Sequence, residues 1–402
     1  MAEHEQINPR ILAWARETAG LSLEEAAQKL GLSTTGRTTG AEKLASLEAG
    51  ERAPTSQQLQ RAASVYRRPL VVFYLAEPPG RGERGEDFRT TPDAASPREN
   101  ATLDALLRDL RARQQLLRAM LEDQDDAHPL SFIGSSRIDD GRDRVVAAIR
   151  SALSISVQDQ RAAKGPEALF NLFRTATERL GVYVLLVGDM GSHHSDLSED
   201  VFRGIALADD VAPFVIVNDN DAKPARSFTL LHEVAHLWIG ASGVSGPLQT
   251  MSANVIERFC NDVAGELLLP SGELARPAGL QDAAFDVVLR ATERIALEWN
   301  VSQGLAAYRM DRLGWIGDDI AGRLFRHFAQ RWRNEKQRSR DGSENSGPSY
   351  YIVRRHRLGA ALLSAVRRGL QGDVVTHIKA ARILGVSPTN VGPLLQERLR
   401  AA

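Results

Sequence analysis

The feature that most restricts this chain is the stretch 228–239. There Phe228, Leu230, Leu231, Val234, Leu237, Trp238 and Ile239 surround His232, Glu233 and His236. So apolar a run predicts a buried helix, in which residues four apart lie one turn apart on one face. Two imidazoles so placed can share one Zn²⁺ at about 2.0–2.1 Å each. Glu233, next to the first imidazole, stands where a general base beside a metal-bound water is needed. Two histidines and a glutamate inside an apolar helix are costly without such a purpose.

Zinc in a catalytic site takes a third protein ligand and keeps a fourth position open. The candidates lie on the next predicted helix, 253–269, which ends at Pro270. Glu257 sits near its start and shares a face with Asn261. Glu266 falls about 180° away in helical phase, and Asp262 is one residue off the Glu257–Asn261 face. Upstream, 182–188, 202–209 and 213–219 are short β-rich runs bounded by Gly, Pro, Asn and Asp, and they predict strands. His193, His194 and Arg203 are upstream candidates for a further transition-state donor.

Taken together, FRGIALADDVAPFVIVNDNDAKPARSFTLLHEVAHLWIG and ERFCNDVAGELLLP resemble the ImmA/IrrE family of zinc metallopeptidases over about 165–270 of this chain. Glu257-Arg258-Phe259-Cys260-Asn261 matches the family's E-x-x-[AC]-N segment, and Leu268-Leu269-Pro270 its closing run. The resemblance implies His232, His236 and Glu257 as zinc ligands and Glu233 as the general base of peptide hydrolysis. It also implies an XRE-type repressor or antitoxin-like protein as substrate.

In the N-terminal stretch, Ile11, Leu12 and Trp14 supply the apolar side of a first helix. Ser22-Leu23-Glu24-Glu25 is a capping box and Gly31 a C-cap. A third helix carries Lys43, Leu44, Leu47 and Glu48, followed by Gly50 and Pro54. This pattern resembles the XRE-type helix-turn-helix, and 64–79 resembles the segment that joins such a domain to an ImmA/IrrE peptidase. The stretch STTGRTTGAEK before Leu44 is longer than a tight turn. It places Gly40, Ala41 and Glu42 where a DNA-reading helix would need base contacts. Arg37 and Lys43 are the candidate DNA-backbone contacts; protein interaction or dimerisation on the same scaffold is the rival.

The expected organisation is a helix-turn-helix domain over 1–79, linker and helical connector over 80–164, peptidase domain over 165–333, linker over 334–349 and C-terminal helical module over 350–402. The fold class expected is α+β and mostly helical, with an XRE-like helix-turn-helix, a zincin-like core with a small β-sheet and a C-terminal helical module. The arginines of 354–368 make that module basic, which fits a nucleic-acid patch, a partner dock or a solvated helix face. Net charge over the chain is -1, so no global basic field draws it onto nucleic acid or membrane. One cysteine, the absence of a basic-then-apolar leader and the lack of any span near 18 apolar residues predict a cytoplasmic protein. Oligomerisation is left open.

The function expected is that of a cytoplasmic regulatory zinc metalloendopeptidase acting on a repressor or antitoxin-like protein. The rival is a DNA-binding regulator or toxin–antitoxin component whose core is a sensing scaffold without turnover.

Overall fold

The structure is a computed structural model that describes residues 7–79, 86–87, 96–190, 197–246, 254–280, 283–341 and 349–396. Its contacts divide it into two units, one of 1–84 with 92–109 and one of 85–91 with 110–402.

The smaller unit holds α1 (Pro9–Thr18), α2 (Leu23–Leu30), α3 (Gly40–Glu48), α4 (Ser56–Val65), a 3-10 turn at Leu70–Tyr74, and the part of α5 (Pro97–Asp123) that precedes residue 110. Three helices start with reciprocal capping boxes, Ser22 with Glu25, Thr39 with Glu42 and Thr55 with Gln58. Each satisfies two backbone N–H groups that a bare helix end would leave open. Gly31 ends α2 in the left-handed region at φ 72°. Ile11, Leu12, Leu44, Leu59 and Phe73 form the core. Across it, Arg16 on α1 donates through Nε and Nη2 to both carboxylate oxygens of Glu48 on α3, at 2.8 and 2.9 Å. The segment between α2 and α3 is a small turn closed by a Thr35–Thr38 bridge, which is where the extra residues before α3 go.

The larger unit contains α6 (Arg142–Leu153), α7 (Val157–Ala162), α8 (Pro166–Arg179), α9 (Lys223–Trp238), α10 (Val255–Leu268), α11 (Phe285–Trp299), α12 (Gln303–Arg312), α13 (Asp318–Asp341), α14 (Tyr350–Leu358), α15 (Ala360–Gln371), α16 (His377–Leu384) and α17 (Pro388–Leu395). Its sheet has strands β1 (Glu86–Asp87), β2 (Tyr183–Leu186), β3 (Gly204–Leu207), β4 (Phe214–Val217) and β5 (Gly243–Ser245), in the order β1-β5-β3-β4-β2. β3 runs antiparallel to both neighbours, with Ile205 opposite Ile216 on β4 and Val244 on β5. The outer pairs β2–β4 and β5–β1 are parallel. Every residue of β2, β3 and β4 is buried, which explains their continuous apolar sequence in place of an alternating one. The architecture is thus mostly helical with one small mixed sheet.

α9 packs on β3, β4, α8 and α10. From Ser227 to Trp238 it is buried on every side, the state expected of a helix apolar all round. The C-terminal helices belong to the same unit. Arg174 on α8 donates to the carbonyls of Val184, His356 and Arg357 and pairs with Glu178, so one nearly buried guanidinium joins α8, β2 and the end of α14.

Two features depart from the sequence reading. β1 arises inside 80–100, expected as linker or loop, and α13 continues to Asp341, into the stretch 334–349 expected as linker. Charged two-residue β1 is specified by backbone pairing to β5, which leaves no side-chain period to read. The basic arginines of the C-terminal module largely serve the fold. Arg354 donates to Gly385 O, Arg355 to the carbonyls of Pro393, Leu394 and Gln396, and Arg357 to Asp189 and Asp219.

Candidate metal centre

His232 and His236 project from α9 one turn apart, and Glu257 comes from the first turn of α10. The Asn254 side chain caps α10 by accepting from the N–H of Ile256 and Glu257. That cap fixes the backbone from which Glu257 reaches α9. His236 Nε2 lies 3.0 Å from His232 Nε2 and 3.0 Å from Glu257 Oε1, and His232 Nε2 lies 3.4 Å from the same Oε1. All three residues are buried, and among the described residues they form the one group of this kind able to hold a metal ion. A tetrahedral zinc with arms of about 2.0–2.1 Å needs donor atoms about 3.3 Å apart. Three lone-pair donors on one small triangle close to that size fit such an ion.

Glu233 is fully buried on the same helix, with both carboxylate oxygens lacking a well-formed hydrogen bond. Burial pushes its carboxyl up to about 8, against the pull of His232. Glu257 goes the other way: burial opposes its charge, but the two histidines outweigh that and hold it down at about 2. Burial also opposes a proton on His232, yet Glu257 and Glu233 together raise its pKa; on His236 burial prevails and lowers it. Two carboxylates on one cluster are therefore driven apart, one fixed as an anion and one able to carry a proton near neutrality.

Sequence reasoning did not single out Gly204 or Ser245. Gly204 opens β3 directly over Glu233: a Cβ there would lie 2.1 Å from Glu233 Oε1. The signal was available, since a glycine within a strand pattern marks close approach of another group. Ser245 on β5 brings its hydroxyl to 3.2 Å from His232 Nε2 and favours the ionised form of Glu233. Its three-residue strand carries no readable pattern.

The rival acids have other partners. Glu266 accepts from the Ser271 backbone and hydroxyl and pairs with buried Arg309, and Asp262 accepts from Tyr308 and Arg312. Arg203 lies just before Gly204 and faces Asp221 at 3.6 Å. His193 and His194 lie outside the described residues. In the smaller unit, Arg37 is exposed at the tip of the turn before α3. The Lys43 ammonium is held within that turn, donating to Ser33 O at 2.6 Å and Thr35 Oγ1 at 2.7 Å. Glu42 folds back onto the backbone N–H of Thr39.

Neither the curated proteins nor the solved structures give a match to the chain. No helix among the described residues is long and apolar enough to cross a membrane. Residues 177–311, which take in β2 to β5, α9, α10 and the centre just described, match the model of the zinc-dependent metallopeptidase family Peptidase_M78, the IrrE N-terminal-like domain.

Proposed function

We propose that this protein is a cytoplasmic regulatory zinc metalloendopeptidase that cuts an XRE-type repressor or antitoxin-like protein and so controls gene expression. The observation that carries the reading is the convergence of His232 Nε2, His236 Nε2 and Glu257 Oε1 beside a buried, unpaired Glu233 carboxyl. The match of 177–311 to a metallopeptidase family supports it.

His232, His236 and Glu257 would hold the ion. Zinc bound there supplies Lewis-acid polarisation of a peptide carbonyl and a lowered pKa for water. Glu233 takes the proton of the attacking water on its carboxylate and returns it to the leaving amine. Burial raises the affinity of that carboxyl for the proton it takes, and the charge of an ion held beside it would oppose that rise. The bare Cα of Gly204 leaves Glu233 its room, and the apolar jacket of α9 keeps bulk water from the carboxylate.

On the same reading, α2 and α3 form an XRE-type helix-turn-helix that recognises DNA or a repressor-like partner. Its support is the capped helix pair, the Arg16–Glu48 clamp and exposed Arg37. With Lys43 occupied by its own turn, Arg37 is the freer phosphate contact.

The test is Glu233→Gln, which keeps the ligands and removes the base. Zinc content should persist while cleavage disappears, so that a proteome comparison of cells with the native and the Gln form names the substrate. A regulatory phenotype that survives Glu233→Gln intact would leave the core a scaffold.

A further inference from the structure

Ser245 enters the metal centre from a strand, outside the set of His232, Glu233, His236 and Glu257. In the antiparallel register it stands directly opposite Gly204 on β3. Residues so paired share one face of the sheet, with Cβ positions about 4.5–5.5 Å apart. On that face Gly204 abuts the Glu233 carboxyl and Ser245 meets His232. The next pair, Ile205 with Val244, points to the opposite face, as a period of two requires. A slip of one residue in β5 would therefore take the hydroxyl away from the centre.

The side of the imidazole that the hydroxyl meets decides its role. A residue that only orients a ligating histidine holds the ring nitrogen facing away from the metal. Ser245 Oγ lies instead 3.2 Å from His232 Nε2. That nitrogen is also the one that meets His236 Nε2 at 3.0 Å and Glu257 Oε1 at 3.4 Å. A spacing of 3.2 Å matches the roughly 3.3 Å between donors around a tetrahedral zinc. Ser245 is only 3% exposed, so its hydroxyl needs a partner. Nε2 serves as that partner only while no ion holds its lone pair. With the lone pair committed, the hydroxyl needs a new acceptor for its proton and a new use for its oxygen. The Glu233 carboxylate, against the same face and without a well-formed hydrogen bond, provides the acceptor. The ion beside Nε2 provides the use.

We propose that Ser245 Oγ is a fourth protein donor of the metal centre, a neutral one that closes the remaining position at rest and yields it to substrate. Serine is not among the usual zinc ligands, which suits a donor that has to give way. This role rests on zinc binding by His232, His236 and Glu257 but not on peptide hydrolysis.

The test loads the full-length protein with cobalt(II) in place of zinc, because cobalt reports its ligands by absorption. Ser245→Cys, nearly isosteric with the native side chain, puts a soft thiolate where the hydroxyl stood. It should show a near-ultraviolet thiolate-to-cobalt charge-transfer band that the parent and Ser245→Ala lack. Cys260 is present in all three proteins and drops out of the comparison. In chelator competition, Ser245→Ala should hold zinc about tenfold more weakly than the parent, and Ser245→Cys should hold it more tightly. Circular-dichroism melting shows that each variant is folded. A Ser245→Cys protein that takes up cobalt with the visible spectrum of the parent and no charge-transfer band overturns the proposal. Zinc affinity unchanged in both variants does the same. The two readings fail separately. The charge-transfer band in Ser245→Cys, with a native protein that hydrolyses no peptide bond, removes the peptidase and keeps the fourth donor. Peptide hydrolysis by the native protein, with no such band in Ser245→Cys, removes the fourth donor alone. A parent that takes up neither metal removes both.

Discussion

At the scale of single residues, the centre is a division of labour among three glutamates that look alike in sequence. Glu257 completes the triangle with His232 and His236, Glu233 stands beside it unpaired, and Glu266 neutralises Arg309. Glu257→Ala should therefore strip zinc, read by elemental analysis of the purified protein. Glu266→Ala should keep zinc but cost about 3 kcal/mol in denaturant unfolding, because it abandons a buried guanidinium. Zinc loss in the second variant and retention in the first would reverse the assignment. Gly204→Ala should push the Glu233 carboxyl off its position and lower turnover about a hundredfold with zinc still bound; undiminished turnover would show that the close contact has no catalytic consequence. His232, Glu233 and His236 were legible because a fixed four-residue spacing within one helix is a local fact. The contact of Gly204 with Glu233 and of Ser245 with His232 depends on strands brought in from elsewhere in the chain, and no local pattern announces it.

At the scale of elements, the long apolar segments declared themselves. β2, β3 and β4 fall within the three runs read as strands and α10 within 253–269, while α9 begins at Lys223, ahead of the apolar run that predicted it. Each has enough residues to show a period or a sustained apolar run. β1 and β5, of two and three residues, are too short to show either and exist through pairing with a neighbour. The α10 cap shows how an element sets a site. Asn254 holds the N–H groups of Ile256 and Glu257, so Asn254→Ala should cost about 1 kcal/mol of stability. It should also weaken zinc binding several-fold, since Glu257 sits in the turn that frays. Chelator competition alongside urea unfolding checks both, and a loss of stability with unchanged zinc affinity would mean the carboxylate is placed by its other contacts alone.

At the scale of the whole molecule, the sequence suggested five consecutive segments, while the contacts give two units, neither of them continuous in the chain. Punctuation by Gly, Pro and charge marks where a chain turns, but not which stretch it packs against afterwards. Between α4 and α5 the chain lends β1 to the sheet of the larger unit, and α5 begins in the smaller unit and passes into the larger one after residue 109. The smaller unit is thus assembled from two separate lengths of chain, and the second continues through α5 into the larger one. One consequence concerns proteolysis. A single cut between Asp87 and Ser96 would not set the N-terminal helices free: they share their unit with the start of α5, and the fragment that carries them also carries β1, paired to β5. Limited digestion followed by size-exclusion chromatography should give two fragments that travel together and part only in denaturant, whereas a free fragment ending near residue 90 would show that neither α5 nor the β1–β5 pairing holds it. Any release of the N-terminal helices by proteolysis would then need a second event, the unfolding of the unit that the cut had already severed.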